Sequence, residues 1–186
     1  YGLPCVVAIN RFPTDTEAEL ALIESECQKL GVNVKLSEVW AKGGEGALEL
    51  ADEVMRLIEQ PSELKFAYED GADVADALDA VATKVYRADG VDFTPAAKRQ
   101  LAELRENGFG NLPVCVAKTQ YSFSDNAKAL GAPENFRITV RELKVSAGAH
   151  FVVALTGSVL TMPGLPKVPA AENIDVDNDG NITGLF

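Results

Sequence analysis

Apolar positions along this chain fall into short continuous runs and helical stripes, each closed by a polar punctuation mark. Leu3-Pro4-Cys5-Val6-Val7-Ala8-Ile9 runs into Asn10-Arg11-Phe12, and Leu112-Pro113-Val114-Cys115-Val116-Ala117 runs into Lys118-Thr119-Gln120-Tyr121-Ser122. Each run is too short for a helix and reads as a strand buried on both faces. Each ends in a cation and an aromatic beside amide or hydroxyl groups. Ligands of open parallel sheets collect beyond the carboxyl ends of the strands, so the two tips are expected to converge on one site.

Between the runs the period changes. Thr14-Asp15-Thr16-Glu17 carries a capping-box pattern, Leu20, Ile23, Cys27 and Leu30 form a helical stripe, and Gly31 is the stop. Val32-Asn33-Val34-Lys35-Leu36 alternates as a strand and leads to Val39-Trp40-Ala41-Lys42. Gly43-Gly44-Glu45-Gly46 then opens a second helix with Ala47, Leu50, Val54, Leu57 and Ile58 on its apolar side. The order strand, helix, strand, helix marks a parallel α/β unit. Residues 61–71 form a polar connection carrying Leu64, Phe66 and Tyr68, with a strand as one option. Val74, Leu78, Val81 and Val85 make a third helical stripe. Thr94-Pro95 is an N-cap followed by proline at the first helical position, opening a helix that carries Ala97, Leu101 and Leu104 and ends near Gly108. Ile138-Thr139-Val140 and Leu143-Lys144-Val145 alternate, and residues 151–155 form another buried strand. Three prolines make Met162-Pro163-Gly164-Leu165-Pro166-Lys167-Val168-Pro169 an extended segment. The fold class is therefore α/β: a mostly parallel sheet flanked by helices, with a C-terminal extended tail and β-hairpin. The division drawn is an α/β region over 1–157 and a tail over 158–186.

Composition narrows the function classes. At 186 residues, 47% of them hydrophobic and 24% charged, the chain can bury a core and reads as an ordinary globular protein. A net charge of −11 argues against nucleic acid and anionic membranes as partners, although a local cluster of Arg11, Lys42 and Lys118 could still hold a small anion. No stretch approaches the roughly 18 consecutive apolar residues of a membrane span. The chain opens on Tyr1 without a secretory pattern, and we read it as a piece of a longer cytoplasmic polypeptide. Cys5, Cys27 and Cys115 lack metal-ligand spacing and are expected as reduced core thiols.

Several motifs are weaker than they look. Asp175-Val176-Asp177-Asn178-Asp179-Gly180 matches the first half of a calcium loop, but Phe186 stands where a bidentate glutamate is required. Ile174 and Val176 before it, with Ile182 and Leu185 after it, favour a hairpin turning at Asp-Gly, and no metal site is expected. Gly43-Gly44-Glu45-Gly46 either cradles a phosphate on backbone N–H groups or is simply a tight turn. His150, the one histidine, has no nucleophile partner and is read as structural; no nucleophile elbow of a hydrolase occurs. Phe12 and Trp40, both just past strand ends, either fill the core or sandwich a flat heterocycle.

The segments Val6-Val7-Ala8-Ile9-Asn10-Arg11-Phe12-Pro13-Thr14-Asp15-Thr16, Ala117-Lys118-Thr119-Gln120-Tyr121-Ser122 and Thr161-Met162-Pro163-Gly164-Leu165-Pro166 resemble the carboxyl-terminal portion of formate–tetrahydrofolate ligase. The likeness continues through Ile174-Asp175-Val176-Asp177 and Gly180-Asn181-Ile182. The resemblance implies an ATP-dependent, homotetrameric enzyme that joins formate to tetrahydrofolate through formyl phosphate, giving 10-formyltetrahydrofolate, ADP and phosphate. It implies magnesium with ATP and a monovalent cation in the intact enzyme. It also implies a folate ring between Phe12 and Trp40, with Leu36 lining the pocket. Arg11, Lys118, Thr119, Gln120, Tyr121 and Ser122 are polar candidates for the active cleft, without assigned chemical steps. One departure stands out: the sequence contains no Gly-x-x-x-x-Gly-Lys-Ser/Thr, the phosphate loop of the family's amino-terminal part. The expectation is a fragment with the folate pocket, inactive alone, whose partner is an N-terminal nucleotide-binding region. The alternative is a stand-alone folate-binding or scaffold module without catalysis.

Overall fold

A computed structural model describes residues 1–157, 159 and 167–184. It divides into two compact units, Tyr1–Ala67 and Tyr68–Phe186. Both are α/β, with helices flanking sheets, and a sheet of mostly parallel strands is present, as the periodicity predicts.

The first unit runs β1 (Val6–Asn10), α1 (Glu17–Lys29), β2 (Asn33–Ser37), α2 (Val39–Lys42), a 3₁₀ turn (Gly43–Ala47) and α3 (Leu48–Ile58). The two strands pair in parallel, from Val6 opposite Asn33 to Asn10 opposite Ser37, with α1 as the crossover. The capping box of α1 is real but lies two residues later than the sequence suggests. Thr16 is the N-cap, its hydroxyl accepting from Glu19 N–H at 3.3 Å, while Glu19 Oε2 accepts from Thr16 N–H at 2.9 Å. The helix ends in a Schellman arrangement. Gly31 (φ 70) donates to Gln28 O and Val32 to Cys27 O, both at 3.0 Å.

The expected second helix starts late. Gly43-Gly44-Glu45-Gly46 does not open it but forms a 3₁₀ turn between two helices, and Trp40 sits on the short α2 rather than at a strand end. Residues 61–67 form no strand; the segment lies along the N-terminus, with Lys65 N–H donating to Tyr1 O at 2.9 Å.

The second unit contains α4 (Val74–Lys84), β3 (Val91–Phe93), α5 (Pro95–Glu106), β4 (Val114–Ala117), β5 (Ile138–Ser146), β6 (Phe151–Thr156), β7 (Asp175–Val176) and β8 (Ile182–Thr183). Thr94 caps α5 through Ala97 N–H, with Pro95 at the first helical position as the sequence requires. The sheet order is β3-β5-β6-β4. Its two outer pairs are parallel and the central β5–β6 pair is antiparallel, joined by a turn in which His150 is exposed and left-handed (φ 55). Residues 138–145, read as two short alternating pieces, form one strand with a bulge between Val140 and Glu142. The core joins Val74 and Leu78 of α4 with Ala97, Leu101 and Leu104 of α5. They pack on Val140, Leu143, Val152 and Ala154 of the central strands. The tail hairpin forms: β7 pairs antiparallel with β8, and Asp177 accepts the Asp179 and Asn181 N–H groups across its loop. The extended segment expected at Met162-Pro163-Gly164-Leu165-Pro166 lies outside the described residues, as do residue 158 and Leu185.

Two expectations need correction. β1 and β4 belong to different sheets in different units, not to the single sheet that the echo implied. Nor are the runs buried on both faces, since Cys5 and Cys115 are exposed; with Cys27 of α1 half-buried, none of the three is the core thiol expected. β4 is an edge strand and β1 belongs to a two-stranded sheet, so neither apolar run is flanked by strands on both sides.

Candidate functional site

Each tip lines a cavity within its own unit. In the first unit the β1–β2 ladder ends at Asn10 and Ser37, and Arg11 N–H extends it by donating to Ser37 O at 3.1 Å. The chains therefore leave the sheet side by side, Arg11-Phe12 from one strand and Glu38-Val39-Trp40 from the other. A turn fixes Phe12, whose N–H donates to Asp15 Oδ2 at 2.8 Å while Asp15 N–H returns to Phe12 O at 3.0 Å. Trp40 is set by α2, whose first carbonyl acceptor is Glu38, with Ala41 N–H at 3.1 Å and Lys42 N–H at 2.9 Å. Arg11, Phe12, Pro13, Glu38, Trp40 and Ala41 line a cavity of about 100 Å³. Phe12 is 50% exposed and Trp40 70%, which excludes a core role for either ring. Leu36 is half-buried, paired with Ile9 in the ladder, and is not part of that lining.

The glycine turn has a physical reason other than phosphate. A Cβ at Gly46 would lie 2.5 Å from the carbonyl carbon and oxygen of Glu38 and 2.9 Å from Val39 N. Glu38 N–H donates to Gly46 O at 2.9 Å, so the turn clamps the start of α2. The motif positions Glu38 and Trp40.

Charges at this mouth are already paired. Arg11 Nη2 meets Glu17 Oε1 at 2.5 Å, and Lys42 Nζ meets Glu38 Oε2 at 2.5 Å. Two of the three cations expected to hold an anion, Arg11 and Lys42, face carboxylates instead. The Lys42 hydrogen bond, helped by the Lys42 and Arg11 charges, holds the Glu38 carboxyl below the usual carboxylate range despite some desolvation. Glu38 escaped the sequence reading. Its legible mark was a carboxylate four residues before Lys42, on the turn that carries Trp40.

In the second unit, Lys118, Thr119, Gln120, Tyr121 and Ser122 line a larger cavity of about 400 Å³ with Tyr86, Val116, Phe123 and Gly131. Three of the five spend their polar groups on the loop itself. Lys118 Nζ donates to the carbonyls of Thr119 (2.9 Å), Ser122 and Ser124 (3.1 Å), and lies 4.9 Å from the Tyr86 ring centre. Desolvation lowers its pKa, partly offset by the Asp125 charge. Ser122 Oγ donates to Ala129 O at 2.6 Å, and buried Thr119 accepts the Tyr121 N–H at 3.3 Å. Gln120 and Tyr121 are exposed.

A sheet-end pocket lined by two exposed aromatic residues and a held carboxylate has the chemistry to stack and hydrogen-bond a flat polar ring. The sequence profile of the formate–tetrahydrofolate ligase family matches residues 1–186, the whole chain. The chain belongs to that family. Its ligases take formate and tetrahydrofolate into one-carbon metabolism. Among the described residues no group of three or more histidine, cysteine, aspartate or glutamate side chains is placed to hold a metal, and no helix is long and apolar enough to cross a membrane.

Proposed function

We propose that this chain is the carboxyl-terminal, folate-holding portion of an ATP-dependent ligase that joins formate to tetrahydrofolate, giving 10-formyltetrahydrofolate, ADP and phosphate. The observation that carries the reading is the meeting of Phe12 and Trp40, from two different elements, on one cavity with both rings exposed. A cavity of about 100 Å³ is smaller than the roughly 300–1,000 Å³ of a complete ligand cleft, so it would take the ring and leave the rest of the folate outside. Leu36 would back this pocket from β2. Gln120 and Tyr121 would face the cleft, with Lys118, Thr119 and Ser122 holding their loop in shape.

In this reading magnesium ATP binds a nucleotide region that carries the phosphate loop absent from these 186 residues. The tail from residue 158 would pack against that region. The monovalent cation, homotetrameric assembly and cytoplasmic location belong to the same proposal.

The test is a titration of tetrahydrofolate into this chain, following emission of Trp40, the single tryptophan. Saturable quenching is expected, with Phe12→Ala weakening binding by about 1–2 kcal/mol, or roughly 5- to 30-fold, through lost ring contact. Equal affinity in the variant would sink the pocket.

A further inference from the structure

Within the pocket just proposed, and resting on that reading, we infer that Glu38 is the residue that selects the folate ring, accepting hydrogen bonds from its amino-pyrimidine edge. Glu38 lines the same cavity as Phe12 and Trp40. Its two oxygens are in different situations. Oε2 takes the Lys42 ammonium at 2.5 Å, whereas Oε1 lies 3.9 Å from Arg11 Nη1, beyond hydrogen-bond length. Arg11 meanwhile spends its other terminal nitrogen on Glu17 at 2.5 Å. The carboxylate is thus oriented from one side and keeps accepting capacity at Oε1.

The backbone around it is fixed. Glu38 N–H is bound to Gly46 O at 2.9 Å, its carbonyl accepts both Ala41 and Lys42 N–H, and Gly46 packs against it too closely for any side chain. With its backbone fixed and Oε2 held by Lys42, a carboxylate on the lining shared with two exposed aromatic residues is suited to the edge, not the face, of a planar ligand.

The reduced folate ring presents such an edge. Its 2-amino group and ring N3–H are adjacent donors, and a carboxylate is an acceptor-only group that matches them. Arg11 and Lys42 keep the carboxylate ionised, so the bonds it makes are charge-assisted. The same arrangement rejects a ring carrying an oxygen in place of the amino group, because two acceptors would then face each other.

The experiment compares tetrahydrofolate with its 2-desamino analogue in the intact chain, Glu38→Gln and Phe12→Ala, by quenching of Trp40 emission. The unmodified chain is expected to bind tetrahydrofolate about 10- to 100-fold tighter than the analogue. In Glu38→Gln that preference should shrink to within about threefold, while affinity for the analogue changes little. If the unmodified chain binds both ligands equally, or Glu38→Gln keeps the full preference, the Glu38 assignment is overturned even though Phe12→Ala still loses binding. If Phe12→Ala binds tetrahydrofolate normally, or the intact chain shows no saturable binding, the pocket itself falls and this inference with it. The two-ligand comparison in the unmodified chain stands whether or not the variant folds.

Discussion

Glu53 shows how one residue can tie a small unit together. It is only 8% exposed, and its carboxylate receives Arg56 Nη2 and Asn33 Nδ2 at 2.7 Å each and Arg56 Nε at 3.0 Å, joining α3 to the start of β2. Those hydrogen bonds, Arg56 first, depress its pKa from 4.5 to about 2. A depressed carboxylate contributes stability above its ordinary pKa and loses it as pH falls, so this contribution should fade between about pH 4.5 and pH 2. Glu53→Gln should lower the denaturation midpoint at neutral pH and flatten its dependence within that window, measured by circular dichroism; an unchanged acid profile would count against the assignment. Residue-level chemistry was unevenly legible. Phe12 and Trp40 were visible because each aromatic follows closely on an apolar strand segment in the sequence. Glu38 and Glu53 went unread, since Arg11 and Asn33 lie 27 and 20 residues away in sequence and only the fold brings them near.

Element boundaries turned on backbone geometry that side-chain periodicity only partly records. The stripe from Ala47 to Ile58 was correct for α3, but the start of the helix depended on a glycine turn with two distinct demands. Gly43 needs a positive φ of 62°, and Gly46 needs room beside the Glu38 backbone, whereas a Cβ at Gly44 meets nothing within 4 Å. Gly46→Ala should therefore displace α2, cost about 1–3 kcal/mol and shift Trp40 emission, while Gly44→Ala is neutral or slightly stabilising. Thermal melts and emission spectra of the pair would decide it; equal behaviour would mean that the close approach is not what sets the turn. The cap of α1 illustrates the same limit. Thr14 and Thr16 are both plausible N-caps in sequence, and the choice went to Thr16 because Glu19, three residues on, completes the reciprocal bonds.

At the scale of the whole molecule the two units differ in what holds them. Among the described residues, the buried apolar side chains all lie in the second unit, from Val74 to Ala154. The first has half-buried strands, and its buried side chains are Ser37 and Glu53. Each fully buried leucine or valine adds about 1.5–3 kcal/mol, so local stability should follow that distribution. In hydrogen exchange, amides of α4, β5 and β6 should be protected longest and those of β1, β2 and α1 should exchange sooner. Equal protection would show that the first unit has another source of stability. The sequence by itself determined the α/β class, the order of helices and strands, the proline-started α5, the tail hairpin and the family, because these rest on local periodicity, capping and motif order. Only the tertiary structure decided that the two echoed strands enter separate sheets, that Lys118 turns inward onto carbonyls, and that Glu38 lines one cavity with Phe12 and Trp40. Those outcomes depend on strand register and long-range pairing, where a carboxylate's neighbours come from a different strand and leave no mark on its own stretch of chain.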